Sequence, residues 1–501
     1  MLKNVIANWA EIFFTIISVF VLYPFLVGTL GKEQYGIWLL ITAVTGYLTL
    51  LHLGIPLATV RHISKYRAQG KTDDVNRVIG SSLVLYLCMA AVVTVAGVIT
   101  SFALERVFKI PDQYEHVARY AVLIATTTAA LNFPFEVLEG VMTAVQDFVI
   151  LAAIKVGLVV TRVALCFLLV TNENGLLVIA GVLLSVAILQ ALLLFLYIRR
   201  KHPEISLSPR HFNTKMLKEI LGYSLFVLLF QVASRLAFQT DPMVIGSVIS
   251  SGAIVYFSVG NNFLNYLMQF VRGISRALVP KSSELSTKGG LGALASIYQS
   301  YSQLTFLFVL PACVLFMTIG DDFIAIWMGE EFREPSGAVL RILTPSYLLF
   351  LVQRGVGHPI LMGIARVKFP TIVMALSSLA NVGVSIIWGI QYGLNGVAWG
   401  TALPNIVNAA VMVVYTCRVL NVSIRRYLIH SLLKPSLSIA FILPPALVLD
   451  HYVRLDGYLL FFAVALSCCA IYGFGVHSFF LENEHKRRIA RAFSRNREPA
   501  T

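Results

Sequence analysis

Apolar runs of about 20 residues follow one another from Asn8 to Phe480, separated by short polar breaks. Each is long enough to cross a hydrocarbon core about 30 Å thick, so the pattern predicts membrane-spanning helices and no soluble core. We count fourteen, at 8–30, 37–60, 79–103, 117–142, 149–170, 176–198, 219–240, 254–280, 298–318, 337–363, 369–390, 396–417, 432–449 and 457–480. The first run carries Glu11, is too long for the apolar core of a signal peptide and is closely followed by the second, so it reads as a retained span.

Polar positions inside these runs fall at helical spacing. In span 8, Asn261, Asn265, Gln269, Arg272 and Arg276 step by four, four, three and four, which lines one face of a helix with a polar ridge. Gln231, Arg235 and Gln239 do the same in span 7, which ends near Asp241. Lys155 and Arg162 share a face of span 5, and Tyr347, Arg354 and His358 share one of span 10. Glu11 lies with Asn8, Thr15 and Ser18, and Glu136 with Thr128, Asn132 and Glu139. Charge at the bilayer centre costs roughly 2.5–3.5 kcal/mol, so such residues line something polar. Eight cations within spans (the six above, with Arg119 and Arg341) face fewer acids, among them Glu11, Glu136 and Asp241, and predict a net cationic interior. Lys155 and Arg341 also suit snorkelling to an interface. Pro24, Pro56, Pro134 and Pro311 mark expected kinks.

A weak repeat appears in the membrane edges. Arg61 recurs at Lys281 and Arg199 at Arg418, offsets of 220 and 219, and Val27-Gly28 and Tyr47-Leu48 recur at Ile245-Gly246 and Tyr266-Leu267. Six spans per repeat gives two halves of one orientation, an arrangement that serves alternating access. Even spacing of helices is the competing explanation. The expected division is residues 1–200 (spans 1–6), 201–420 (spans 7–12), 421–481 (spans 13 and 14) and a basic tail at 482–501.

Composition narrows the classes further. Of 501 residues 57% are hydrophobic and only 13% charged, about half the soluble norm. With Met1 inside, cytoplasmic segments, with Lys434 counted at the inner edge of span 13, hold 26 of the 39 lysines and arginines and external loops 5, which puts both termini in the cytoplasm. The formal charge of +14 gathers in clusters at Arg61–Arg77, Arg199–Lys218 and Lys486–Arg497, all at cytoplasmic membrane edges, and points to anionic lipid headgroups and away from nucleic acid. Six cysteines form no CxxC pair, no His cluster has ligand spacing, and there is no GxxxxGK[ST], GxGxxG-helix or HExxH pattern. Neither a metal, a cofactor nor a catalytic residue is expected.

The stretch from Tyr23 to Tyr66, through Leu30-Gly31, Tyr35-Gly36, Gly46-Tyr47-Leu48, Leu53-Gly54 and Arg61, resembles the opening of bacterial polysaccharide flippases. These belong to the multidrug, oligosaccharidyl-lipid and polysaccharide exporter superfamily. Asp241–Phe257 resembles the matching junction after span 7, and the fourteen-span layout extends the likeness over nearly the whole chain. His52 stands where an acid is expected before Leu53-Gly54, which weakens proton coupling at that position.

The resemblance implies a V-shaped pair of six-helix lobes in the bacterial inner membrane, moving an undecaprenyl-diphosphate-linked glycan to the external leaflet. It implies no enzyme activity, a monomer, and a polymerase or glycosyltransferases as pathway partners. Arginine forks suit phosphate oxygens, so Arg162, Arg235, Arg272, Arg276 and Arg354, with Asn265, Gln269 and Gln231, are the expected substrate contacts. Glu11, His52, Glu136 and Asp241 are candidates for ion coupling or charge pairing, and Tyr256, Tyr266, Tyr301 and Tyr347 for stacking on sugars. One rival is a multidrug or small-molecule exporter of the same superfamily, whose cavity should be acidic or apolar. The other is a membrane glycan polymerase or glycosyltransferase, which should carry a large catalytic loop.

Overall fold

The computed structural model describes residues 2–52, 55–220, 240–287, 290–452 and 457–480, and every regular element among them is helical. Two compact units divide the chain, Met1–Val255 and Tyr256–Thr501. Span 7 lies almost wholly outside the described residues, with Gln231 and Arg235, and so does the tail at 482–501.

Ten stretches of the described residues are long and apolar enough to cross a membrane. Two of these are pairs of rods. Helix α1 (Leu2–Leu48) breaks at Gly31, where φ is +75°, so it contains both the first and the second expected spans. A side chain at that φ would be strained, which is why glycine marks the turn. Unit 1 continues with α2 (Ile55–Ala68), α3 (Thr72–Val107), α4 (Glu115–Ala144), α5 (Phe148–Leu169), α6 (Gly175–Lys201) and short α7 (Asp241–Val248). Asp73 and Asp74 open α3, and Arg199, Arg200 and Lys201 close α6, each charge favourable to the helix end it occupies. Pro56, an expected kink, instead lies in the first turn of α2, where its missing N–H has no partner to lose.

Burial is that of a membrane helix bundle. On α3, Val78, Ile79, Tyr86 and Val93 are buried while Leu87, Val92, Val95, Ile99 and Phe102 are exposed, an apolar outer face suited to lipid. The inner face joins Ile55, Ile63, Phe133, Val137, Leu194 and Ile198 in one core. After α6 the chain folds back on α3: Asn76 accepts from the Ser206 N–H at 2.8 Å, and Ser81 accepts from that of Asn213 at 2.9 Å.

The boundary between units falls inside α8 (Ser251–Thr287), a 37-residue helix. It covers expected span 8, and its polar ridge explains why it is not among the strongly apolar stretches. Then come α9 (Leu291–Thr318), α10 (Gly320–Met328), α11 (Arg333–Val352), a π-helical turn at Gln353–Gly357 and α12 (His358–Gly363). Helix α13 (Lys368–Val419) breaks at Gly393, with φ +61°, into expected spans 11 and 12. Expected span 13 is fragmented into α14 (Ile424–Tyr427), a π turn at Leu428–Leu433, α15 (Lys434–Ser436), a 3-10 turn at Leu437–Phe441 and α16 (Leu443–Tyr452). Pro435, Pro444 and Pro445 each remove an amide donor there. Helix α17 (Tyr458–Phe479) ends the described chain.

Candidate functional site

Unit 1 gathers its ionisable side chains where α1, α4, α5 and α6 meet. Glu136 and Glu139 are one turn apart on α4, so both project to the same side. Lys155 on α5 places its ammonium 2.8 Å from Glu139 and 3.6 Å from Glu11 on α1. Gln190 on α6 donates to the other Glu139 oxygen. These groups are about one-third exposed or less, so Lys155 is an internal counter-ion and does not snorkel.

His52 sits on the 3-10 turn Thr49–His52 that ends the second arm of α1. Its Nε2 lies 3.1 Å from Glu136, and its ring stacks on Phe133 at 4.2 Å, with Tyr86 edge-on at 6.4 Å. The three candidates Glu11, His52 and Glu136 thus come together, and Glu139 and Gln190, which the residue pattern had not singled out as a site, join them. Glu136 and Glu139 at i and i+3 carried the available signal; nothing on α6 pointed to Gln190. Asp241 is buried in the first turn of α7.

Arg162 is two turns from Lys155 on α5 and has different surroundings. Its Nη2 donates to Ser18 at 3.0 Å, and no carboxylate among the described residues pairs with it. Arg119, nearer the start of α4, lies over the Phe102 ring at 5.3 Å.

In unit 2 the polar ridge residues of α8 differ in exposure. Asn265 is half-buried, Gln269 and Arg272 are exposed, while Leu264, Leu267, Met268 and Val271 between them are buried. Arg272 contacts Met268 sulfur at 3.9 Å. The side chain of Arg276 lies outside the described residues. Asn261 accepts from Tyr347 at 3.3 Å, and Tyr347 is only 2% exposed, so this tyrosine is an interior residue and not a sugar platform. Arg341 pairs with Asp321 at 2.7 Å at the start of α10.

Arg354 lies on the π turn Gln353–Gly357, a local widening that rotates its side chain relative to an unbroken helix. Its guanidinium reaches Met374 sulfur at 3.4 Å, and Ser275 of α8 donates to the carbonyls of Arg354 and Gly355. The turn is anchored by a polar core that the sequence did not disclose. Gln353 accepts from Tyr298 at 3.2 Å and donates to Tyr427 at 2.8 Å, and the two tyrosine rings stack at 4.6 Å. His358 follows, buried at the start of α12.

A family model described as "Polysaccharide biosynthesis protein" matches residues 1–286. Over 464 residues the chain is 20% identical to "Uncharacterized membrane protein EpsK" of Bacillus subtilis (strain 168), with 90% of each chain covered. A Shigella flexneri protein named "Putative O-antigen transporter" is 20% identical over 399 residues, 77% of this chain and 91% of that one. Among solved structures, "Lipid II flippase MurJ, inward closed conformation" matches with a TM-score of 0.73 over 95% of this chain and 99% of that one. At 16% identity that likeness is one of fold.

Proposed function

The chain belongs to the polysaccharide biosynthesis protein family, and from that premise we propose that it is a flippase for a polyprenyl-diphosphate-linked oligosaccharide. Its cargo passes from the cytoplasmic to the external leaflet of the bacterial inner membrane, for assembly of a surface polysaccharide. The named O-antigen transporter and the lipid II flippase among its relatives and neighbours support this reading. So does the family's own description.

The observation that carries it furthest is Arg162. A guanidinium within a membrane-spanning helix, hydrogen-bonded to a hydroxyl and paired with no acid among the described residues, suits a mobile anion. We assign the diphosphate to Arg162, Arg235, Arg272, Arg276 and Arg354, with Gln231, Asn265 and Gln269 contributing polar contacts along the path. The two repeats act as lobes that alternate access, both termini are cytoplasmic, and the protein works as a monomer in the company of polymerase or glycosyltransferases. Glu11, His52, Glu136 and Asp241 serve charge pairing or coupling.

Deletion tests the proposal: the lipid-linked intermediate should accumulate on the cytoplasmic leaflet and disappear from the external one, with both restored by the gene. Unchanged leaflet distribution in the deletion strain overturns it. The exporter reading draws on the three carboxylates of unit 1, which would attract cations, but Lys155 already occupies two of them.

A further inference from the structure

At the break in α13 the two arms form a hairpin whose tip holds a cavity of about 680 Å³, lined by Trp388, Tyr392, Asn395, Gly396, Trp399 and Leu403. Three observations say what it takes. The first is rigidity. A Cβ on Gly396 would stand 1.9 Å from the Trp388 carbonyl oxygen, and one on Gly400 would stand 2.3 Å from Ser385 Oγ, so the arms touch through their backbones. Asn381 donates to Thr401 at 3.0 Å across the same seam. The aromatic rings are therefore mounted on a clamped frame, which lowers the entropy cost of binding.

The second is that the recognition groups are unspent. Among the described residues, Tyr392, Asn395 and the indoles of Trp388 and Trp399 make no hydrogen bond to protein, and none of the three rings stacks on another. Tyr392 is 66% exposed and Trp399 45%. The third is the kind of chemistry. The lining combines flat apolar faces with an amide that both donates and accepts, and it contains no carboxylate. A pyranose ring presents the complement: one face of C–H groups and a rim of hydroxyls.

The far ends of both arms carry Arg366, Lys368 and Arg418. About 25 helical residues separate each from the hairpin tip, a rise of roughly 37 Å, so cytoplasmic basic ends put the tip on the external side. We propose that this pocket binds a glycan at the external face, receiving sugar residues of the cargo or of neighbouring surface polysaccharide. The inference rests on the flippase reading, but its test does not need transport.

Full-length protein in lipid nanodiscs is examined by saturation-transfer NMR with cellotriose, chitotriose and maltotriose as probes, and empty nanodiscs as the blank. Transfer to the ring C–H protons of at least one trisaccharide is expected, with affinity roughly three- to tenfold weaker in Trp399→Ala and retained in Trp399→Phe. Tyr392→Ala, at an exposed position, gives a second reading if the tryptophan variant does not fold. Rings that only anchor the hairpin among lipid headgroups predict no transfer above the blank, and that result overturns the proposal while leaving the flippase reading intact. Affinity undiminished in both alanine variants overturns it as well. Slower delivery of lipid-linked glycan in Trp399→Ala cells assigns the pocket to the cargo; undiminished delivery with binding weakened assigns it to surface polysaccharide.

Discussion

Lys155 Nζ on α5 lies 2.8 Å from Glu139 Oε2 on α4. With Glu11 at 3.6 Å on α1, one ammonium ties three membrane helices together. Removing it leaves two carboxylates in a half-buried site facing one another's charge.

Lys155→Met is therefore expected to lower stability by about 1–3 kcal/mol, between the cost of breaking an exposed pair and that of breaking a buried one. Adding Glu139→Gln should recover part of that loss, because the unpaired charge is then removed. Thermal unfolding of the purified protein in detergent, run as a double-mutant cycle, checks this. Strict additivity of the two substitutions would show that the ion pair contributes nothing.

The sequence made the helices legible because lipid contact demands apolar length everywhere, and it made both rod pairs legible because loops were expected near Gly31 and Gly393. The ridge of α8 was readable for the same reason in reverse, since polar residues on a single helix share a face through periodicity alone. Partner choice was not readable. Glu11, Glu139 and Lys155 are far apart in the chain, and only the crossing of α1, α4 and α5 decides that they meet. The π turn that carries Arg354 depends on Tyr298 and Tyr427, which come from other helices and leave no local trace.

Topology gives the second prediction. A reporter fused after Arg200 or Arg497 should read as cytoplasmic, and one between Gly320 and Ser336, where Asp321, Asp322, Glu330, Glu331 and Glu334 cluster, as external. An external C-terminus would break the fourteen-span arrangement.

The ridge of α8 gives the third. Single cysteines at positions 265, 269 and 272, in a background lacking the native cysteines, should react quickly with a small hydrophilic thiol reagent. Those at 263, 267 and 271 replace residues no more than 8% exposed and should react far more slowly. Equal labelling of both sets would remove the water-facing reading of this face.

Arginine substitution gives the fourth. If Arg162, Arg272 and Arg354 meet the diphosphate, a lysine at each keeps the charge but loses the planar fork, and an alanine loses both. A hydrogen bond to an ionised group contributes roughly 1.5–3 kcal/mol, so an alanine variant should weaken substrate engagement by about ten- to a hundredfold, with the lysine variant between it and the native protein. Arg162 discriminates best, because its neighbour Ser18 is neutral and its removal strands no carboxylate among the described residues. A purely structural Arg162 would show itself as loss of protein from the membrane, whereas a substrate contact leaves abundance unchanged and lowers delivery of lipid-linked glycan to the external leaflet. Arg162→Ala present at normal abundance and delivering at the native rate would take Arg162 out of the substrate path, and the same result at all three positions would refute the arginine assignment.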